Sequence, residues 1–293
     1  MLFHETCSIK INLTLRVLER RQDGYHNIRT LFWRLPSPEV VEIRTGCAQD
    51  RVVCVGAEIP GENIVSKGCA YLRQRYGDLV PDGLDIRIFK HLPQGGGVGA
   101  GSGNVAALLR WFRHAVGGDV LDVASLSSLG ADVAFLAADG DLAMASGVGE
   151  RLEGVGESLD LAVVLFFPTW SSDTGRAYRS LDESRVGTPS KILTPDEARA
   201  ESVAVLEDLR RGCQVGLLPN DFIPCMGEHL VCYNALYEAI RDFGAIGWGL
   251  SGSGSSCFGL FRRAEASGAI PALMREIRNN PRFDWLTQTL ILE

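Results

Sequence analysis

Between residues 93 and 104 the chain reads Pro93-Gln94-Gly95-Gly96-Gly97-Val98-Gly99-Ala100-Gly101-Ser102-Gly103-Asn104, and no other segment limits the possible folds as much. The glycines at 95, 96, 97, 99, 101 and 103 open positive-φ conformations and let backbone N–H groups approach an anion, because no Cβ stands in the way. The segment lies between a strand-like run at 84–89 and a helix-like run at 104–116, whose Val105, Leu108, Leu109 and Phe112 form an apolar stripe. A helix start there adds about half a positive charge, again suited to phosphate. A flexible linker is the other reading, but linkers rarely separate a strand from a strongly amphipathic helix.

Two widespread phosphate loops do not fit. Walker A requires Lys and then Ser or Thr after its last glycine, and Asn104-Val105 stand there instead. A dinucleotide pattern can be laid on Gly95, Gly97 and Ala100, with Asp119 suitably downstream as its acidic residue. It fails beyond the helix, because 117–129 reads as helical where that fold needs a second parallel strand.

Elsewhere the pattern alternates between strands and helices. Ile11, Leu13, Leu15 and Val17 alternate with Asn12, Thr14 and Arg16, which predicts a strand with one buried face, and a turn follows at Gln22-Asp23-Gly24. Further strands are expected at 40–44, 52–55, 84–89, 142–145, 151–152, 159–167, 246–250, 255–261 and 285–292. Helices are expected at 62–76, closed by Gly77, at 104–116, ended by Gly117-Gly118, and at 119–129, 195–211, 228–243 and 264–277. The polar stretch 182–196 reads as a surface connection. Without strict βαβ regularity the class is α+β, in two domains, 1–155 and 156–293.

With 46% hydrophobic residues, the 293-residue chain has material for one or two cores. Its formal charge of −7 argues against a general nucleic-acid binder while leaving room for an anionic small molecule. No apolar run reaches membrane-spanning length, and the start lacks the basic and apolar regions of a signal peptide. A cytoplasmic protein with no membrane partner is the expectation. The cysteines, scattered without a C-x-x-C pair, are expected to be mostly reduced core residues rather than a disulfide framework or metal site.

The pattern P-x-G-G-G-x-G-x-G-S-x-N-x-A resembles the phosphate loop of the GHMP kinase superfamily. Ser8-Ile9-Lys10-Ile11-Asn12-Leu13, Arg21-Gln22-Asp23-Gly24-Tyr25-His26-Asn27-Ile28 with Thr30-Leu31-Phe32, Leu129-Gly130-Ala131-Asp132-Val133 and Leu250-Ser251-Gly252-Ser253-Gly254 are similar to further superfamily segments, in family order. They are most like those of members acting on a cytidine-diphosphate-linked polyol in isoprenoid-precursor synthesis. The resemblance implies an N-terminal ribosomal-protein-S5-like domain, a C-terminal ferredoxin-like domain and an active site in the cleft between them.

By the same resemblance, Asp132 is the base that takes the proton of the attacking hydroxyl, and Lys10 pairs with it and with the reacting oxygen. From local sequence alone, Asp132 reads first as a helix cap and Lys10 as a solvent-facing strand residue. Pro93, Gly95, Gly96, Gly97, Gly99, Gly101, Ser102, Gly103 and Asn104 would hold the phosphates of ATP. Asn12, Tyr25, His26, Thr174 and Tyr178 would surround the cytidine substrate, and Gly252, Ser253 and Gly254 form the third glycine motif. Mg²⁺ is expected to arrive with ATP, with no protein side chain assigned to it, and the protein to be a monomer or homodimer. The chain departs from the family pattern at Gly103, where a second serine is usual, at Ala134 in place of proline, and at Ile9 in place of a small residue. A kinase for another small alcohol and a non-catalytic nucleotide-binding paralogue are the alternative readings.

Overall fold

The computed structural model describes residues 1–57, 61–117, 121–156, 158–186 and 192–293. The chain packs as two compact units whose limits interleave along the sequence. Met1–Lys10, Arg34–Gln94 and Gly99–Asp139 form the first; Ile11–Trp33, Gly95–Val98 and Gly140–Glu293 form the second. Two long strands, β1 (Leu2–Arg20) and β2 (His26–Thr45), therefore supply residues to both units, as does the glycine-rich segment.

In the first unit, β3 (Arg51–Val55) runs parallel to β4 (Leu84–Phe89), which pairs antiparallel with residues 40–45 of β2. Helix α1 (Ile64–Tyr76) starts where the Asn63 side chain accepts from the Val65 N–H at 2.8 Å, and it stops at Gly77, whose φ of 48° suits a residue without Cβ. Helix α2 (Ala100–Val116) packs against α1 and the short α3 (Val133–Ala137). Its predicted stripe, Val105, Leu108, Leu109 and Phe112, is fully buried. The helix begins four residues before the sequence pattern predicts, so Gly101 and Gly103 are helical rather than part of the open loop. Glycine disfavours helix by about 1 kcal/mol, and only tertiary packing overrides it here. The helix expected at 119–129 is instead a 3₁₀ turn at Val123–Ser128. Gly118 and Asp119 lie outside the described residues.

In the second unit, residues 30–33 of β2 pair with β5 (Leu142–Ser146), and β5 pairs with β6 (Arg151–Gly154). A separate five-stranded sheet has the order β11-β7-β10-β9-β8, made of β7 (Leu161–Pro168), β8 (Gly216–Leu217), β9 (Gly247–Leu250), β10 (Cys257–Arg262) and β11 (Leu286–Leu292). The uninterrupted apolar run of β7 matches its interior position between β11 and β10, with every residue buried. Helices α4 (Thr174–Arg185), α5 (Pro195–Arg210), α6 (Leu230–Asp242) and α7 (Arg263–Asn279) complete the unit. Phe166, Leu236, Ile240, Phe261, Ile270 and Leu273 share its core. Helix α5 opens with a capping box between Thr194 and Glu197. Helix α4 has no counterpart in the sequence reading, because only Ala177 and Leu181 are buried on it and no apolar stripe announces it. Of the connection expected at 182–196, the part at 187–191 lies outside the described residues.

The alternation in β1 predicts one solvated face, and the structure buries both. The Thr14 and Ser202 hydroxyls share a 2.7 Å hydrogen bond, and Thr14 Oγ1 accepts from the Leu31 N–H at 3.1 Å. Arg16 donates to both Glu201 oxygens at 2.7 Å and to Asp221 at 2.6 Å. Helix α5 thus covers the polar side of the strand with matched polar groups. The cysteines also depart from expectation: Cys7, Cys69 and Cys257 are buried, while Cys213 is exposed and the others are intermediate. Among the described residues, no helix is long and apolar enough to cross a membrane. Replacing Thr14 with Val leaves the Leu31 N–H and the Ser202 hydroxyl without this partner. Urea denaturation should show a loss of about 1–3 kcal/mol, and an unchanged stability would contradict the burial of both faces.

Candidate active site

In the first unit, Lys10 and Asp132 meet. Lys10 lies on β1 with 4% of its surface exposed, and its Nζ stands 3.6 Å from Asp132 Oδ2. Asp132 directly precedes α3, yet its side chain caps nothing and turns to the lysine instead. Burial pulls Lys10 below the ordinary lysine value, and the Asp132 carboxylate opposes that fall. The lysine's charge in this setting therefore leans on the carboxylate beside it. Gly99, at φ 67°, starts α2 against the same pair. A Cβ on Gly99 would sit 3.2 Å from Asp132 Oδ2 and 3.5 Å from Lys10 Cγ, so the helix begins where a side chain would crowd the carboxylate and touch the lysine stem.

The flanks of the glycine-rich segment are tied together by a buried carboxylate. Glu39 is wholly buried; it accepts from Lys90 Nζ at 2.7 Å, from Asn104 Nδ2 at 2.7 Å, and from the N–H groups of His91 and Leu92 at 3.3 and 3.1 Å. Asn104 also accepts from Lys90 at 3.0 Å and donates to Cys7 Sγ at 3.3 Å. Its amide thus points into this network, which places it under the loop as a support. Gly103 sits hard against β1: a Cβ there would come 1.9 Å from the Ser8 carbonyl oxygen. Gly101 has ordinary room, and Ser102 Oγ lies 3.8 Å from the Cβ position of Gly130.

In the second unit, the loop residues Gly95, Gly96 and Gly97 are strapped to the third glycine motif. The N–H groups of Ser172 and Ser256 donate to the carbonyls of Gly95 and Gly96 at 3.2 and 3.0 Å, and Ser251 Oγ donates to Gly97 O at 3.0 Å. A Cβ on Gly97 would lie 2.2 Å from Ser251 O and 2.7 Å from Gly254 O, so only glycine fits. The motif itself is pinned by Asn220, whose Nδ2 donates to Leu250 O and Gly252 O, both at 2.9 Å. The Thr174 and Ser253 hydroxyls are 3.1 Å apart.

The same unit gathers the expected ring-binding residues. The His26 and Tyr178 rings stack at 5.0 Å with an 18° interplanar angle. His26 Nε2 is 2.8 Å from Asp182 Oδ1, and Tyr25 beside it is 67% exposed. An exposed aromatic face next to a held imidazole is suited to a planar heterocycle. Asn12 is buried and donates from Nδ2 to Thr30 Oγ1 at 2.8 Å. Sequence reasoning did not single out Glu39, Lys90, Asn220, Ser251, Ser256 or Asp182. Ser251 lies within the third motif and Ser256 just beyond it, whereas Glu39, Asn220 and Asp182 carry no local signal because their partners are distant in sequence.

Residues 63–149 match the model for the GHMP kinases N-terminal domain, and residues 233–278 match that for the GHMP kinases C-terminal domain. A 4-diphosphocytidyl-2-C-methyl-D-erythritol kinase of Prosthecochloris aestuarii is 33% identical over 262 residues, covering 86% of each chain. This chain belongs to the GHMP kinase family. A relative of the same name from Anaeromyxobacter dehalogenans is 34% identical, covering 90% of this GHMP kinase and 82% of its own length. Among solved structures, a 4-(cytidine 5'-diphospho)-2C-methyl-D-erythritol kinase superposes with a TM-score of 0.73 at 28% identity, covering 99% of this chain and 98% of the other. Homoserine kinase from Cytophaga hutchinsonii, at 16% identity, TM-score 0.62, and coverage of 98% of this chain and 94% of its own, shares the fold. The two-domain GHMP kinase fold expected from the sequence is the one observed.

The departures of this GHMP kinase from the family pattern have a steric basis at one position. Gly103 replaces a serine where the backbone of β1 leaves no room for a Cβ, while Ile9 and Ala134 are simply buried. Restoring the serine with Gly103→Ser should force α2 off β1 and lower stability by about 1–3 kcal/mol or more, read by thermal or urea unfolding. A gain in stability would show that the strand yields easily.

Lys10 generates a pH prediction. Burial lowers its folded-state affinity for protons below the ordinary lysine value, so between the folded and unfolded titration points the unfolded chain binds more protons. Stability contributed by this group therefore rises with pH across that window. The alkaline rise should be smaller in Lys10→Met than in the parent protein when unfolding free energy is measured against pH. A larger rise in the variant would contradict the sign.

Proposed function

We propose that this chain transfers the γ-phosphoryl group of ATP to the tertiary 2-hydroxyl of 4-diphosphocytidyl-2-C-methyl-D-erythritol. The observation that carries the reading is the pairing of buried Lys10 with partly exposed Asp132 at the start of the phosphate-loop helix. Identity of 33–34% to kinases bearing that substrate's name, over most of both chains, supports the choice of alcohol. We put the functional division at 155/156; the family matches at 63–149 and 233–278 fall on either side of it.

In this reading Asp132 accepts the hydroxyl proton as the oxygen attacks the γ-phosphorus. The new oxygen–phosphorus bond forms as the bond to the β,γ-bridging oxygen breaks; ADP leaves and the proton stays on Asp132 until solvent takes it. Lys10 offsets the negative charge growing on the attacking oxygen, which is worth most where water is excluded. Phosphoryl transfer asks chiefly for positioning and charge neutralisation, so no covalent enzyme intermediate is required. The glycines at 95, 96, 97 and 99, with Ser102, receive the phosphates, and Tyr25, His26 and Tyr178 receive the cytosine.

Among the described residues no group of three acidic, histidine or cysteine side chains is arranged to hold a metal ion; a magnesium ion would come with the ATP phosphates. The Ser102 hydroxyl, an oxygen donor of the kind Mg²⁺ favours, is the residue that would complete its shell. Bound there, the ion would neutralise phosphate charge.

The test is ADP release measured side by side with the cytidine substrate, mevalonate and homoserine. Turnover of the cytidine substrate alone is expected. Asp132→Asn should lower kcat by about 10²–10⁴-fold, with KM for ATP little changed, and Lys10→Ala should also be impaired. Turnover confined to another alcohol rejects the substrate, and full activity of Asp132→Asn rejects the base.

A further inference from the structure

Resting on the phosphate-loop reading above, we infer that Tyr233 is a positioning residue for nucleotide binding: its hydroxyl anchors a series of hydrogen bonds that ends by turning the Gly97 N–H toward a phosphate oxygen. No motif marks this residue. It lies on α6, 1% exposed, with its ring in T-shaped contact with those of Trp170 and Trp285, each at 5.9 Å. Trp170 Nε1 donates to the Tyr233 hydroxyl at 3.0 Å, and the hydroxyl donates to Ser255 O at 2.8 Å. The next N–H along, that of Ser256, donates to Gly96 O at 3.0 Å.

Each proton in this series has one place to go. An indole N–H only donates and a carbonyl only accepts, so the single Tyr233 proton must point to Ser255 O. Burial pushes the phenol above the ordinary tyrosine range, which keeps that proton on it. Ser255 O and the Ser256 N–H are opposite ends of one trans peptide, and so are Gly96 O and the Gly97 N–H. The series therefore crosses two peptide units, and each bond polarises the next. Its far end, the Gly97 N–H, faces away from Ser256 and meets no acceptor among the described residues. Along the loop φ is positive at Gly95, Gly97 and Gly99 but not at Gly96 or Val98, an alternation that suits successive N–H groups converging on an anion. A hydroxyl that merely held α6 in place would act on stability alone.

The experiment measures dissociation constants for ATP and for adenosine by titration calorimetry, using the full-length parent and Tyr233→Phe, which removes the hydroxyl and keeps the ring. ATP binding should weaken about three- to tenfold in the variant. Adenosine binding should hold, because adenosine carries no phosphate to meet Gly97. Unchanged ATP affinity, or an equal loss for both ligands, overturns the role of Tyr233 and leaves the phosphate-loop reading standing. A parent that binds ATP no better than adenosine sinks the phosphate-loop reading, and this inference with it. Nitrogen-15 NMR of labelled tryptophan in the parent gives a second readout, even if the variant folds poorly. Saturation with ATP should shift the Trp170 indole N–H resonance, and saturation with adenosine should not. A Trp170 resonance that stays in place with ATP, or moves equally with adenosine, refutes the proposal.

Discussion

The approach of Gly103 to the Ser8 carbonyl is the constraint on which the first unit's chemistry depends. Helix α2 lies so close to β1 that a single Cβ at this point would reach 1.9 Å from the strand's backbone oxygen. That distance fixes where the helix starts, and its first residues follow Gly99, which abuts Lys10 and Asp132. The helix dipole, the ammonium and the carboxylate are thereby brought to one place. Glycine's poor helix propensity is the cost of this arrangement, and the burial of Val105, Leu108, Leu109 and Phe112 offsets it.

Two ion pairs in the first unit do different things. Lys90 and Glu39 are both nearly inaccessible, and the carboxylate is surrounded by four donors, so its charge is matched by hydrogen bonds as well as by the lysine. Such a network holds one geometry, because removing any partner leaves a buried charge short of compensation. Lys10 and Asp132 stand farther apart, 3.6 Å, and the carboxylate keeps 26% of its side-chain surface exposed. A pair with one accessible oxygen-bearing member can meet a substrate; a sealed pair cannot. The first is suited to chemistry and the second to holding the loop that chemistry uses.

Legibility differed by the range of the interactions involved. Strand β7 and the stripe of α2 were readable because burial imposes a period on neighbouring residues. Lys10 and Asp132 entered through short motifs, and their separate local readings, a solvent-facing lysine and a helix cap, both failed because each side chain is committed to a partner far away in the chain. Helix α4 was missed since it buries only two residues, and the polar side of β1 was expected to face water because Thr14 and Arg16 give no sign of Ser202 and Glu201 on α5.

What the amino-acid order determined by itself is local: which segments alternate or repeat, where glycine is required, and the family signature those segments share. Only the tertiary structure decided that Gly103 answers to a neighbouring strand, that Asn104 supports the loop from below, and that Asp182 holds His26. The physical reason is that steric exclusion and hydrogen bonding act over a few ångströms of space. Residues that share such a contact carry no mark of one another along the chain.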